Sequence, residues 1–514
     1  MEIRQENFAV DQKKVVLIRT PIIQPKHHLS SLRAVPSIGL AYINASLRRR
    51  NYDVIIIDAP GEALFKYRLF KDTNLTVNGL NAEEIIERIP DDVSAIGISV
   101  MHANEWIYDS LIIKKIHEKF KNIPLFIGGE NATGSSEKIL NELNFIKAIV
   151  LGEGDHIAPV LVEHLIENKS LNSVPGILYF DENKILKNNK RLLPETNPDI
   201  FKEPDWSGFP LENYFHARTS ISAHNEKSIT MLATRGCPHT CTFCTVPNMW
   251  NSKWNARTPQ NVVDEMKFYQ TKYGIEHIDF VDLTFALSKS WTKEFCDILI
   301  KEKVNLRWSL PIGTRVEHLD RDILILMKEA GCFRILFSPE SGSSLTLVRI
   351  KKKLNISKME TVIRDSVELG YIIKLATIFG FPGQTKKEVF GTVRFIWKAA
   401  LIGVRDVVCL SFIPYPGTEL YDQLVAEGKF DPMNQPVRLN NDIKDMISWS
   451  DDIPTWSMRW ICFFGMASFY CLQFLFRPWR FIGFFNNIFL NKKPQTNLES
   501  LIYCWFFRVV NRVS

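Results

Sequence analysis

Unbroken apolar runs constrain the folding of this chain more than any other feature. VVLI (15–18), VIIID (54–58), AIGIS (95–99), LFIGG (125–129) and AIVLG (148–152) each lack the alternation of a half-exposed strand. A strand that is apolar at every position must be covered on both faces. Helical stretches separate these runs, one of them over residues 38–50. That alternation predicts βαβ units and a parallel α/β sheet for residues 1–170. Ligands of such sheets bind beyond the carboxyl ends of the strands. Gly128-Gly129 and Gly152-Glu153-Gly154 fall there.

The pattern then breaks and resumes. Residues 171–226 are polar and proline-rich, and read as a linker that packs across the next domain, with a short hairpin beginning at GILYF (176–180). Residues 227–425 alternate again. Strands are expected at SITMLAT (228–234), HIDFVD (277–282), RWSLPI (307–312), RILFS (334–338), KLATIF (374–379) and DVVCLSF (406–412). Six strands with intervening helices fit a partial (β/α)6 barrel, whose active site would lie at the strands' carboxyl ends. Residues 426–514 remain as a C-terminal region, polar to about 455 and then helical, aromatic and basic.

Nine cysteines are present, none of them before Cys237, and three crowd into TRGCPHTCTFCTVP as Cys237, Cys241 and Cys244. An odd total with one local cluster suits a reducing compartment and a metal site, not a disulfide framework. The CxxxCxxC loop follows directly on the first barrel strand. Three thiolates on one tight loop can hold three irons of a 4Fe–4S cluster and leave the fourth iron open to a small ligand. The structural alternative is zinc on these three cysteines and His239, although no second ligand knuckle follows.

This motif, placed after a first barrel strand, resembles the radical SAM superfamily. The resemblance implies that the open iron chelates S-adenosylmethionine (SAM) and that further SAM contacts follow on successive strand ends. Phe243 matches the aromatic position beside adenine. Asp282 and Thr284 in DLT fall where the amino group is held, although the usual GGE form is absent. Arg315 in PIGTR lies near the expected carboxylate, and Glu340 and Ser341 in SPESGS near the ribose. Gly380 and Pro382 in GFPGQT resemble the adenine-backbone turn, with Gln384 replacing a commoner acidic residue. Taken singly, Arg315 could be a surface ion-pair partner, Glu340 a helix cap and GFPG a plain turn.

The N-terminal half resembles cobalamin-binding domains of the Rossmann-like (flavodoxin-like) class. Ser99 and Met101, followed by Gly128-Gly129, match the SxL…GG pattern with methionine for leucine. Ser37 and Gly39 in PSIGLAY, and Gly152 and Glu153 in GEGD, are further expected cobalamin contacts. The DxHxxG motif that supplies a cobalt ligand is absent, and Pro60 stands at the histidine position of DAPGEA. A domain that binds nothing, or a nucleotide, is the alternative, although no GxGxxG is present. His27, His28 and His102 receive no role.

Together the resemblances imply a cobalamin-dependent radical SAM enzyme with three cofactors: a 4Fe–4S cluster, SAM and cobalamin. Such an enzyme cleaves SAM to a 5′-deoxyadenosyl radical, which abstracts hydrogen from an unactivated carbon. C-methylation of an apolar or lipid-like substrate is the expected outcome, with radical cyclisation or oxidation as the alternative. A reductant such as flavodoxin or ferredoxin is the expected partner. Methylthio transfer is disfavoured, because no cysteine precedes Cys237. A non-catalytic cobalamin or metal sensor at a membrane, or a zinc-stabilised scaffold, would explain the chain without SAM chemistry.

Charge bears on location. The formal charge of +6 resides entirely in residues 456–514, which hold seven cations and one anion. The body is neutral, which gives no support to nucleic-acid binding. WICFFGMASFYCLQFLF (460–476) is short for a membrane span. Its flanking tryptophans and arginines suit a membrane interface or packing on the barrel. No signal peptide is visible in the charged N-terminus, so the expected location is cytoplasmic, with peripheral contact at the inner face of the membrane through 456–514.

Overall fold

The structure, a computed structural model, describes residues 12–25, 34–70, 73, 75–191, 203–222, 226–250, 252–432, 446–491, 495–496, 498–500 and 502–503. The expected positions His27 and His28, most of the irregular stretch after 432, and the last residues of the tail lie outside them.

Two parallel sheets organise the chain. The first contains β1 (Lys14–Arg19), β3 (Asp53–Asp58), β6 (Val93–Ser99), β7 (Leu125–Gly128) and β8 (Ala148–Val150) in the order β3-β1-β6-β7-β8. That is the flavodoxin-like order, with its switch point between β1 and β6. A small antiparallel sheet of β2 (Ile22–Pro25), β4 (Tyr67–Leu69) and β5 (Leu75–Asn78) stands beside it. The hairpin foreseen in the linker forms as β9 (Ile177–Phe180) and β10 (Leu186–Asn188), and it does not stand alone. β9 pairs antiparallel with β8 and continues the first sheet. Pairing covers what would otherwise be an open edge of β8.

The second sheet runs β11 (Ser228–Met231), β14 (His277–Phe280), β15 (Arg307–Thr314), β16 (Cys332–Glu340), β17 (Ile372–Phe379) and β18 (Asp406–Ser411), all neighbours parallel. Helices follow the strands in turn, giving a partial (β/α)6 barrel. Two short strands, β12 (Thr234–Gly236) and β13 (Trp254–Ala256), form a ribbon that brackets the cysteines.

The linker joins the two sheets into one packed body. Trp206 is buried and donates from Nε1 to the Tyr269 hydroxyl of a barrel helix at 2.9 Å. Asn44 of the first domain donates to the carbonyls of Asp205 and Ser207 at 2.9 and 3.0 Å. One apolar core extends from Val15 and Leu17 through Trp206 and Phe209 to Ile229 and Ile278. At the amino end of the barrel strands, Asp279 accepts from Ser220 Oγ at 2.7 Å and from the Ile221 amide at 2.9 Å. Burial opposes its charge, but His277, Ser222 and Ser309 hold it well below the usual carboxylate range.

The helix Thr455–Phe476 is the one described helix long and apolar enough to cross a membrane. It lies instead along the barrel. Met458, Cys462, Gly465, Phe469 and Gln473 recur at helical spacing and form its buried face. Arg477 donates to the carbonyls of Ala400, Leu401 and Ile402, and Arg480 to those of Gly403 and Val404. These carbonyls close the helix Lys386–Ile402, an end that carries partial negative charge and favours cations. Two of the tail's arginines are thus engaged in internal capping.

Candidate active site

The cysteine loop is rooted by the turn after β14. Asp282 accepts from the Ala233 amide at 3.1 Å, from Thr234 Oγ1 at 2.6 Å, and from the Thr234 amide. Thr284 donates to the Gly236 carbonyl at 3.1 Å. Both side chains were expected to meet the SAM amino group; here they grip the strand that leads into Cys237. Burial pushes the Asp282 carboxyl up to about 7, against the pull of its donors.

The far side of the loop rests on the segment after β16. The Thr242 amide donates to the Ile350 carbonyl at 3.1 Å, and the Cys241 thiol approaches the Lys351 carbonyl at 3.9 Å. This brings Lys352 beside the cysteines, a residue sequence reasoning missed. Its clue was the basic run IKKK at 350–353. Lys352 Nζ binds Glu340 Oε1 at 2.8 Å, with both side chains almost fully buried. Desolvation alone would lower the lysine's pKa, but Glu340 raises it, and the net shift is upward. Glu340 itself has φ +63°, an unusual conformation for a residue with a side chain. Such strain persists where surrounding structure enforces it, and it clusters at functional sites.

Arg315 is buried and held by Glu317, with Nη2 also donating to the Lys353 carbonyl at 3.0 Å. It acts on His239 and Cys237 electrostatically: burial, then Arg315, lowers the His239 pKa to about 4. Phe243 packs on Phe381 of the GFPG turn with ring centroids 5.6 Å apart, so the two expected adenine-side features meet. Gln384 folds back to accept from the Gly380 amide at 2.8 Å, and Pro382 is buried. Ser341 is fully buried and bonded to Thr392 Oγ1 at 2.8 Å, which places it in the turn and not on a ligand-facing surface.

The donor set suits a cluster. Each cysteine of a 4Fe–4S cluster binds its own iron, and Cys237, Cys241 and Cys244 come from one loop. Burial raises the Cys237 pKa and pushes Cys244 up to about 12. Arg315 and Lys352 are the nearby cations, and both oppose this rise at Cys237. The residues fit the cluster.

The carboxyl end of the first sheet is built differently. Ser99, Gly128 and Val150 are aligned across β6, β7 and β8. Gly129 has φ +121°, and a Cβ there would stand 2.5 Å from the Val100 carbonyl oxygen. Gly128 is not required by the chain itself, since a Cβ would meet only Val150 at 3.5 Å. Gly39 faces open space, with nothing within 4 Å of a Cβ. Ser37 sits at the start of its helix without a capping bond from its side chain. Glycines that folding does not need suit the close approach of a broad ligand, so these residues fit a corrinoid. At the Asp58-Ala59-Pro60-Gly61 turn, Tyr214 of the linker donates to Asp58 Oδ2 at 2.6 Å, and Arg19 donates to the Tyr214 hydroxyl at 3.1 Å. Glu153 is turned to the barrel, accepting from Arg235 and Trp250 at 3.0 Å each.

The comparisons agree with both halves. Residues 231–396 match the radical SAM superfamily, and residues 30–162 match the B12 binding domain. The chain is a radical SAM enzyme with a B12-binding domain. Its cofactors are a 4Fe–4S cluster, SAM and cobalamin, and the sensor and zinc-scaffold alternatives fall away. The enzyme is 27% identical over 400 residues to an uncharacterised methyltransferase of Pyrococcus horikoshii, covering 78% of this chain and 80% of that protein. It is 25% identical over 419 residues to the anaerobic magnesium-protoporphyrin IX monomethyl ester cyclase of Cereibacter sphaeroides, covering 79% of this chain and 64% of that one. The solved radical SAM methyltransferase TsrM of Kitasatospora setae, with cobalamin and cluster bound, shares the fold at TM-score 0.65. Identity there is 16%, with 90% of this chain and 89% of that one covered.

Proposed function

We propose that the enzyme methylates an unactivated carbon of an apolar, lipid-like substrate. The observation that carries methyl transfer is the meeting of the two rims. Thr245, next to Cys244, donates to Glu130, next to Gly129, at 2.8 Å. A barrel that worked alone would have no use for this contact between its cysteine loop and the glycine rim. When bound, the cluster supplies the electron that splits SAM, and cobalamin carries the methyl group.

The chain's own residues have the remaining tasks. Cys237, Cys241 and Cys244 hold the cluster. Arg315 and Lys352 receive the SAM carboxylate, and Glu340 orients Lys352. Phe243 and the Gly380–Gly383 turn bound the adenine. Asp282 and Thr284 keep the loop in place. Ser37, Gly39, Ser99, Gly128, Gly129 and Gly152 line the corrinoid.

The apolar substrate class rests on the C-terminal helices. Trp456, Trp460, Phe463, Phe464 and Phe476 of the first, and Trp479 and Ile482 of the second, are about half exposed or more. Exposed aromatic side chains, with Arg459 beside Trp460, favour a membrane interface, and peripheral contact would bring a lipid substrate to the barrel. Cyclisation or oxidation is the second reading, favoured by the likeness to the cyclase.

Anaerobic reconstitution with iron, sulfide, cobalamin, SAM and a reductant tests the chemistry. Formation of 5′-deoxyadenosine with S-adenosylhomocysteine, read by mass spectrometry, is expected. Deoxyadenosine alone favours cyclisation or oxidation, and neither product from a loaded enzyme overturns both. Co-sedimentation with anionic phospholipid vesicles tests the surface; no binding removes the support for a lipid substrate.

A further inference from the structure

Both flanks of the cysteine loop are tied to the B12-binding domain. Arg235 stands two residues before Cys237 and donates from Nη1 to Glu153 Oε1 at 3.0 Å and Asp155 Oδ2 at 2.8 Å. Its guanidinium also lies 4.6 Å above the ring of Tyr42. Trp250 ends the short helix that follows Cys244, and its Nε1 donates to the same Glu153 oxygen at 3.0 Å. Thr245 binds Glu130. The carboxylates are not scattered: Glu130 follows Gly129, and Glu153 follows Gly152. Thr245 adjoins a cluster cysteine, Arg235 lies two residues before one and Trp250 six residues after one, and Glu130 and Glu153 each adjoin a glycine of the corrinoid rim.

These ties are sheltered. The side chains of Arg235, Glu153 and Asp155 are 12%, 15% and 6% exposed. Ion pairs so buried add little net stability, because desolvation offsets attraction, and their best-attested use is to fix one arrangement over others. Here the arrangement fixed is that of the cysteine loop against the glycine rim. Glu153 is the hub, since it receives both flanks of the loop.

We propose that Arg235, Trp250 and Thr245, gripping Glu153, Asp155 and Glu130, form a clamp through which the cysteine loop and the corrinoid rim order each other. Cluster assembly and cobalamin binding are then coupled. This rests on the cofactor assignments above. The coupling is reciprocal: the factor by which the cluster tightens cobalamin is the factor by which cobalamin tightens the cluster.

The test is a binding measurement on the full chain. Hydroxocobalamin is titrated anaerobically, by absorbance, into protein with and without its cluster. Iron loss to a chelator is followed with and without cobalamin. In the wild type the cluster should tighten cobalamin by about fivefold or more, in the ordinary range of coupling between sites, and cobalamin should slow iron loss. Glu153→Gln should bring the ratio of the two dissociation constants close to one while each cofactor still loads alone. Thr245→Val cuts one tie and should lower the ratio part-way. If Glu153→Gln fails to fold, judged by its thermal melt, Arg235→Gln serves. It removes the charge that Nη1 presents to both carboxylates. A reduced ratio in it supports the clamp, and an unchanged ratio overturns it. Equal cobalamin affinity in the two wild-type forms overturns the clamp and leaves the cofactors assigned. Failure of both forms to bind cobalamin overturns the assignment as well.

Discussion

The two sheets bring their carboxyl ends together, yet the two rims are finished with different materials. The barrel rim is built from side chains that are already engaged: Asp282 on Thr234, Thr284 on Gly236, Glu340 on Lys352, Arg315 on Glu317. The first sheet's rim is built from backbone and missing side chains, at Gly39, Gly128 and Gly129. The difference follows from what each rim must hold. A cluster and a small zwitterion need charges and thiols at fixed points. A corrinoid needs a broad face that chain atoms can approach without obstruction. Damage should therefore differ in kind. Barrel-rim substitutions should disturb both folding and cofactor, whereas some glycine substitutions should disturb the ligand alone.

The largest effect is expected at the thiols. Cys241→Ala should remove cluster absorbance and abolish SAM cleavage while leaving cobalamin binding measurable; full iron content in this variant would break the comparison. Next is Gly129→Ala. The positive φ and the 2.5 Å approach to Val100 make it strained, at a cost of about 1–3 kcal/mol. Cobalamin affinity should fall at least tenfold in titration, with iron content unchanged.

Asp282→Ala should cost about 1–3 kcal/mol in denaturant unfolding, because all three donors lose their acceptor. The wild type also carries a pH signature. The folded carboxyl titrates near 7, against roughly 3.9 when unfolded, so the folded state holds the extra proton between those values. This contribution to stability is complete below about pH 4, falls as pH rises through the window, and is flat above it. Unfolding of the apoprotein across pH should show that slope, and the variant should lack it. The smallest change in stability belongs to Gly128→Ala, within about 0.5 kcal/mol, since its Cβ meets only Val150 at 3.5 Å. Weaker cobalamin binding in an equally stable protein would sharpen the contrast between the rims; unchanged binding would break it.

Much of this was legible from local pattern. Strands covered on both faces must be apolar throughout, so β1, β3, β6 and β7 could be read directly from composition along the chain. The cysteine loop was legible because three ligands of one cluster lie within eight residues. Roles that depend on distant partners were not. Asp282 carries a carboxylate where one was expected, but its partners lie 48 and 49 residues away. Arg477 and Arg480 looked like membrane-interface cations, and their bonds to residues 400–404 appear only when the last helix folds back. Glu153 was read with its neighbouring glycines, while the residue it holds is Arg235, 82 positions on.

The sequence by itself determined the two βα arrays, the cysteine loop and the glycine-bearing strand ends, because each is specified by side-chain type at short spacing. The tertiary structure decided which polar groups are engaged and which are left to meet a ligand. It also decided that the linker's Tyr214 closes the Asp58 turn and that both flanks of the cysteine loop reach the opposite domain. The physical reason is that a buried polar group takes whichever partner lies at bonding distance once two separately specified sheets have packed on one core.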